Sequence, residues 1–386
     1  MITRRLSKAL ASSKKSLLLL GPRQTGKSTL IGSLKPDLTI NLAHEPTFLE
    51  FLRAPSELEQ RLAVLNKPST IFIDEVQRLP SLLNTLQALL DDHGNRHRFY
   101  LTGSSARKLK RGHANLLPGR IHVYHLTPLS CSELEFSLDT RKALAFGTLP
   151  GIWSEADDAT RKKTLRSYAA TYLKEEVQAE NLTRNLEGFA RFLDVAAAAS
   201  GQFLDLTKLS SLAQVPRQST ARFFEILEDC LLVRRIDAFS HSAAKRLIQH
   251  PRYLLFDGGV LNGLLGNFTV SADRIGSLFE QLVINQIFNE AAAADIDVRL
   301  STYRTEHGAE VDLIVEQAAS VTAIEIKAGA SLDSSAFRGL RNFREFYRKP
   351  HQSFVFYNGS NRKKAREIEI WPWQDGIREL FRLRDR

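Results

Sequence analysis

Eight residues near the N-terminus, Gly21-Pro22-Arg23-Gln24-Thr25-Gly26-Lys27-Ser28, place two glycines, a lysine and a hydroxyl at the spacing G-x-x-x-x-G-K-[ST]. The glycines let consecutive backbone N–H groups wrap a phosphate chain, Lys27 reaches the β and γ phosphates, and Ser28 offers its hydroxyl to Mg²⁺. Thr29 completes the predicted nucleotide-binding segment. An apolar run, Ser16–Leu20, precedes it and a helical pattern over Ser28–Leu34 follows, the strand-loop-helix setting that this chemistry requires. Further on, Thr70-Ile-Phe-Ile-Asp74-Glu75 ends an apolar strand in two carboxylates. Asp74 is suited to holding hydrated Mg²⁺ and Glu75 to polarising an attacking water, so ATP and Mg²⁺ are the expected cofactors.

A third apolar strand, Phe99-Tyr-Leu-Thr102-Gly-Ser104-Ser105, ends in hydroxyls. Thr102 and Ser104 can sense the γ phosphate or orient water, or they merely cap the next helix. Arg120, in Leu117-Pro-Gly-Arg120, can enter a neighbouring subunit's nucleotide site, which implies a homo-oligomer, or it simply fronts a strand.

The C-terminal part holds a second constellation. Arg304-Thr-Glu-His-Gly-Ala-Glu-Val-Asp312 leads into a strand whose partner reads Ala323-Ile-Glu325-Ile-Lys327. Strand alternation puts Glu325 and Lys327 on one face, where Asp312 can join them and Glu280 on an upstream helix can be a fourth member. Two carboxylates and a lysine can bind Mg²⁺ and activate water for phosphodiester cleavage, although the same short pattern also fits a surface ion pair on a hairpin. Between the two constellations, Leu206–Ala213, a turn at Gln214-Val-Pro-Arg217, Ser219–Cys230 and Leu231-Leu-Val233 read as helix, tight turn, helix and short strand. That is the layout of a winged helix-turn-helix, with Ser219 and Thr220 predicted to cap its second helix. Lys208, Arg217 and Arg222 are its candidate DNA contacts, unless the segment docks a protein instead.

Positioning these groups requires three regions. Short apolar runs at Ser16–Leu20, Leu38–Leu42, Thr70–Asp74, Phe99–Thr102 and Ile121–Leu126, separated by helical stretches such as Ser81–Leu90, predict an α/β domain with a parallel sheet over residues 1–150. Residues 151–238 read as helical, with Tyr168, Tyr172, Leu173 and Val177 on one face and a helix over Phe189–Ala199. Residues 239–386 mix a helix at Gly276–Ala291 with strands at Glu310–Glu316, Val321–Lys327 and Gln352–Tyr357, a second α/β domain. The 386 residues carry 53 Lys and Arg against 43 Asp and Glu, a net charge of +10 that permits a polyanionic partner. Two cysteines, Cys131 and Cys230, exclude a disulfide scaffold and a cysteine zinc site. The longest apolar run near the N-terminus, Leu17–Leu20, is too short for a membrane span or signal-peptide core, so a cytoplasmic protein without a membrane partner is expected.

Gly21–Ser28, Ile71–Glu75 with Val76-Gln77-Arg78, Leu101–Ser105 and Pro128-Leu-Ser130 together resemble the bacterial and archaeal AAA+-like P-loop ATPase family that carries an uncharacterised C-terminal domain. The likeness continues through Tyr172–Val177, Glu228–Arg235 and Leu255–Leu261. This resemblance implies a P-loop NTPase core, a winged-helix middle and a restriction-endonuclease-like C-terminal fold. The function expected is a Mg²⁺-dependent ATPase that couples ATP binding and hydrolysis to DNA binding or remodelling, branched DNA included. An ATP-regulated nuclease, or an ATP-dependent signalling or defence switch acting on a protein partner, are the alternatives.

Overall fold

Strands covered on both faces tolerate continuous apolar runs, and three such central strands with a half-exposed strand at each edge build the N-terminal sheet of the computed structural model, which describes residues 2–92, 94, 96–105, 117, 119–172, 186–239 and 250–382. They are β1 (Ser16–Leu20), β2 (Leu38–Asn41), β3 (Thr70–Asp74), β4 (Arg98–Gly103) and β5 (Ile121–His125), all parallel, in the order β2-β3-β4-β1-β5. Alternate residues feed two cores. Leu18, Leu20, Ile71, Ile73, Phe99 and Leu101 pack under the helices Glu45–Arg53, Glu57–Ala63 and Leu82–Asp91. Leu17, Leu19, Phe72 and Tyr100 pack under the helices Ser7–Ser12 and Lys27–Ser33. The expected parallel α/β sheet is therefore present, with strand limits shifted by no more than a residue from the apolar runs.

Internal packing gathers the chain into two units, Thr3–Thr127 with Asp229–Leu232, and Pro128–Glu228 with Val233–Arg386. These limits differ from the predicted divisions at 150 and 238. Segment 128–150 packs with the second unit because Gln286 Nε2 donates to Leu129 O at 3.0 Å, and Thr148 N donates to Asp257 Oδ2 at 2.7 Å.

The second unit is built on an eight-stranded sheet of β6 (Val233–Ala238), β7 (Arg252–Leu255), β8 (Arg299–Arg304), β9 (Glu310–Gln317), β10 (Ser320–Lys327), β11 (Gln352–Tyr357), β12 (Lys363–Ala365) and β13 (Ile368–Pro372). Their order is β12-β13-β11-β10-β9-β8-β6-β7. β8, β9 and β10 form an antiparallel meander, and β11 runs parallel to β10. The helix Ile275–Ala293 extends past its predicted ends and buries Gln281, Asn285, Gln286, Asn289 and Glu290 as well as its apolar residues.

In the helical part, Leu186–Ala198, Leu206–Ala213 and Arg217–Asp229 are helices. Asp205 caps the second of these by accepting Thr207 N at 2.8 Å, and Gln214 ends it in the left-handed region at φ 51°. The third starts at Arg217, directly after Pro216, so Ser219 and Thr220 are not its caps: they lie inside its first turn, where the buried Thr220 hydroxyl donates to Pro216 O at 3.2 Å. Leu173 and Val177 of the predicted apolar face lie outside the described residues. Cys131 and Cys230 are buried and are not joined in a disulfide. Among the described residues no helix is long and apolar enough to cross a membrane.

Candidate functional site

β1 delivers the chain to the loop Gly21–Gly26, where Gly21 N donates to Gly103 O on β4 at 3.2 Å. A Cβ at Gly21 would lie 2.2 Å from the Leu126 carbonyl oxygen, so only glycine fits. Gly26 adopts φ +92°, which a side chain resists, and its carbonyl accepts Leu30 N at 2.9 Å to open the helix Lys27–Ser33. Thr25 Oγ1 donates to Pro22 O at 2.9 Å inside the loop. From outside, the buried Arg4 guanidinium donates to Thr25 O at 2.6 Å and to Thr127 O at 2.7 Å. Lys27 is buried and donates to Gly21 O at 2.9 Å and Pro22 O at 3.1 Å, which aims its ammonium across the loop. An incoming phosphate would exchange for these neutral acceptors with a stronger, charge-assisted bond. Arg23 is half-buried, and Gln24, Ser28 and Thr29 are exposed on the loop and first helical turn.

The sheet order puts β4 between β1 and β3, and this assembles the acidic side of the site. Ser28 Oγ donates to Asp74 Oδ1 at 2.8 Å, and Thr102 Oγ1, at the end of β4, donates to the same oxygen. Glu75 N donates back to Thr102 Oγ1 at 3.1 Å. Glu75 sits in the left-handed region at φ 57°, an uncommon conformation for a side-chain-bearing residue that costs on the order of 1–3 kcal/mol and clusters at functional sites. Its carboxylate accepts from Gln77 Nε2, which also donates to Ser104 Oγ at 3.0 Å. Thr102 and Ser104 therefore position the two acids, directly in one case and through Gln77 in the other. The hydroxyl of Ser28 and the carboxylate of Asp74 converge as hard oxygen ligands, a donor set that fits Mg²⁺.

Arg120 is not brought to this site. β5 starts beside the N-terminal end of β1, with Ser16 opposite Ile121, so Arg120 stands at the far end of the sheet from the loop, about 15 Å of strand away. There its guanidinium makes a two-point pair with Asp91, at 2.5 and 2.8 Å.

In the second unit, β9 and β10 bring the other predicted residues together. Asp312 Oδ2 accepts Ile326 N at 2.7 Å, and Lys327 Nζ donates to Glu325 Oε1 at 2.6 Å. Arg252, on β7, donates to Glu280 Oε1 at 2.5 Å and to Asp312 O at 3.4 Å. Burial, reinforced by the Asp312 charge, pushes the Glu325 carboxyl up to about 8 and the Glu280 carboxyl up to about 7. Burial also raises Asp312 and Glu310. Burial pulls Lys327 down, but Asp312 and Glu325 more than offset it, so its ammonium is held above the ordinary range. Glu325 Oε2 is buried without a hydrogen-bond partner, an orphaned acceptor that fits a cation. Among the described residues no three His, Cys, Asp or Glu side chains gather into a metal-binding group, and Asp312 and Glu325 are the two carboxylates that would face a cation here. Lys208, Arg217 and Arg222 are exposed on the helices Leu206–Ala213 and Arg217–Asp229.

Sequence reasoning missed Arg4, Gln77 and Arg252. Gln77 had a local signal, two residues beyond Glu75, whereas Arg4 and Arg252 act across long sequence separations.

Comparison with known proteins agrees with the first unit's geometry. A family profile described as an AAA domain matches residues 13–135, and domains of unknown function, DUF8612 and DUF4143, match residues 137–271 and 275–375. The chain thus carries an AAA-type ATPase domain. It is 28% identical over 318 residues to the uncharacterized proteins Rv2008c of Mycobacterium tuberculosis and Mb2031c of Mycobacterium bovis, covering 81% of this chain and 70% of each of theirs. Among solved structures, a signal transduction ATPase with numerous domains from Pyrococcus horikoshii, which has a tetratricopeptide repeat sensor, aligns at 12% identity and a TM-score of 0.26 over 76% of this chain. The present chain spans 48% of that protein's length. A DNA polymerase III gamma subunit-related protein from Thermotoga maritima aligns at 12% identity and a TM-score of 0.23, over 58% of this chain and 97% of its own. Superpositions this loose carry no argument about fold or function.

Proposed function

We propose that the protein is a Mg²⁺-dependent ATPase that couples ATP binding and hydrolysis to DNA engaged by its second unit. The observation that carries the ATPase reading is the unbroken hydrogen-bonded chain Ser28–Asp74–Thr102–Glu75 beside the buried Lys27. The loop amides and Lys27 would cradle the phosphates, while Ser28 and Asp74 would hold Mg²⁺, whose charge would offset that of the phosphates. Glu75, aimed by its own backbone and by Gln77, would polarise the attacking water. Arg120 is remote from its own loop, so any action on a nucleotide would be in trans, across a homo-oligomer.

DNA is the partner that the second unit's layout favours. Its helix-turn-helix runs into β6, β6 pairs with β7, and an isolated antiparallel bridge links Phe203 to Arg252 at the start of β7, which supports a winged-helix reading. The meander β8-β9-β10 with parallel β11 supports a restriction-endonuclease-like reading. Phosphate release from ATP measured with and without duplex DNA tests the coupling. We expect DNA to stimulate hydrolysis several-fold, with no hydrolysis in Lys27→Ala; a rate indifferent to DNA at every concentration overturns the coupling.

One observation favours a second reading, an ATP-regulated nuclease: the orphaned Glu325 Oε2 beside Asp312 and Lys327. Asp312 and Glu325 would hold a divalent cation, and Lys327 would orient a water beside it. Metal-dependent nicking of supercoiled plasmid, abolished in Glu325→Ala, is the expected result. Full nicking in that variant rejects the assignment.

A further inference from the structure

The cations of this chain are unevenly spread. From Arg338 to Pro372 the sequence carries nine Lys or Arg against three carboxylates, Glu345, Glu367 and Glu369, a surplus of six in a protein whose net charge is +10. The predicted DNA-binding segment is different: from Asp205 to Asp229, Lys208, Arg217 and Arg222 face Asp205, Glu225, Glu228 and Asp229, so it is not basic at all.

The fold brings the surplus onto one surface. The helix Arg338–Tyr347 buries Leu340 and Phe343 against the sheet. At 3.6 residues per turn, Arg338, Arg341 and Arg344 fall on the opposite side, Arg348 follows at the helix's C-terminal end, and all four are exposed. An ion pair between Arg344 and Glu367 ties this stripe to the β12-β13 hairpin, where Lys363 and Lys364 are exposed on the edge strand. Between helix and hairpin lies a cleft of about 480 Å³ lined by Arg344, Arg348, Lys349, His351 and Glu367. Aromatic rings interleave with the charges: the Arg362 guanidinium lies 3.9 Å from the centre of the Trp371 ring, and the Lys349 ammonium 6.0 Å from that of Tyr347.

We propose that this face, the outer side of the helix Arg338–Tyr347 together with the β12-β13 hairpin, is the principal surface for the phosphate backbone of duplex DNA. The proposal rests on the DNA reading above and moves the main contacts away from the helix-turn-helix. Arg338 to Arg348 span about 15 Å at the helical rise, against about 3.4 Å per nucleotide along one strand, so the stripe matches about four nucleotides. Guanidinium groups suit phosphates because they donate in a planar fork. The stripe also starts beside the carboxylate cluster, since Gly339 packs so closely on β9 that a Cβ there would lie 1.7 Å from Glu310 O, two residues before Asp312. A backbone lying along the stripe would lead to Asp312 and Glu325.

The test is fluorescence anisotropy of a labelled duplex of about 20 base pairs, titrated with the full chain at several salt concentrations. Arg341→Ala with Arg348→Ala should weaken binding at least tenfold and flatten the slope of log affinity against log salt by about 1.8, the loss of two phosphate contacts. Arg217→Ala with Arg222→Ala should stay within twofold of the unmodified protein. Lys363→Glu with Lys364→Glu provides an independent variant on the edge strand and should also weaken binding. The urea midpoint of tryptophan fluorescence, which reports the second unit, should be unchanged in all of them and verifies that they fold, and ATP hydrolysis without DNA should be unchanged as well. If the Arg217 and Arg222 variant loses affinity while the stripe and hairpin variants bind normally, this surface is wrong and the DNA reading stands. If the unmodified protein shows no saturable, salt-dependent binding, the DNA reading falls and this proposal with it.

Discussion

At the scale of single residues, the nucleotide site separates binding from hydrolysis. Lys27 faces the loop with its ammonium, so Lys27→Ala should weaken nucleotide binding by about ten- to a hundredfold, the worth of a charge-assisted hydrogen bond, in a titration with a fluorescent ATP analogue. Glu75→Gln retains the shape but loses the charge that polarises water. It should bind ATP normally and hydrolyse it about a hundredfold or more slowly; hydrolysis at the unmodified rate would remove Glu75 from that role. Thr102→Val deletes a hydroxyl that serves Asp74 and Glu75 at once, and about a ten- to hundredfold loss of turnover is expected, with Thr102→Ser restoring most of it. If Thr102→Ser is as slow as Thr102→Val, the loss comes from packing and not from the hydroxyl. These roles differ in legibility. Lys27, Ser28, Asp74 and Glu75 could be read because each belongs to a short consecutive motif. The role of Thr102 could not, because it depends on which strand lies beside β3.

At the scale of elements, the turn after β1 works because its backbone passes against the chain leaving β5. Gly21→Ala would drive a methyl into the Leu126 carbonyl, and backbone cannot swing aside as a flexible side chain can. We expect loss of nucleotide binding and a lower melting temperature of the first unit, whereas Gly32→Ala, which meets nothing within 4 Å on the helix beyond the loop, should preserve both. Normal nucleotide binding by Gly21→Ala would show that the loop tolerates a shift of its first residue. The helix Ile275–Ala293 illustrates an element whose extent was legible and whose burial was not. Its polar residues suggest an exposed face, yet Gln281, Asn285 and Gln286 are all buried and bonded to backbone carbonyls of neighbouring segments. Such partners come from chain far away in sequence, so no periodicity can announce them.

At the scale of the whole molecule, the second unit carries a buried charge that should make its stability depend on pH. Asp257 accepts Thr148 N, Gly259 N and Val260 N, yet burial outweighs these bonds and the nearby Arg234, pushing its carboxyl from 3.8 up to about 6. Arg234 faces it with a guanidinium that burial lowers to about 9, still charged at neutral pH, and that donates to Asn285 and Asn289. Between pH 3.8 and about 6 the folded state holds a proton that the unfolded state releases, so stability falls as pH rises through that window, by on the order of 3 kcal/mol at most from this group. All three tryptophans, Trp153, Trp371 and Trp373, lie in the second unit, so their fluorescence reports its unfolding in the intact chain. Urea midpoints should fall between pH 4 and 6.5, with Glu280 and Glu325, whose carboxyls are also raised, carrying the decline on toward pH 8, and Asp257→Asn should remove only its own share of the decline below about pH 6 while lowering the midpoint at the acid end. A decline equally steep in Asp257→Asn would assign it to other carboxyls.

The amino-acid order alone carried whatever depends on neighbours along the chain: the phosphate loop with its strand and helix, the acidic end of β3, the five apolar strands and the alternation that pairs Glu325 with Lys327. Hydrogen bonds within a few residues and the two faces of a strand set these features, so they survive reading in one dimension. The fold alone decided what depends on distant chain meeting. Tertiary folding set Thr102 against both Asp74 and Glu75, placed Arg120 on Asp91 at the wrong end of the sheet for its own nucleotide, and packed segment 128–150 with the second unit. It also gathered the cations of residues 338–366, separated in sequence by β11, onto one face. Burial and charge at these points are sums over groups remote in sequence and close in space, and no local pattern records that sum.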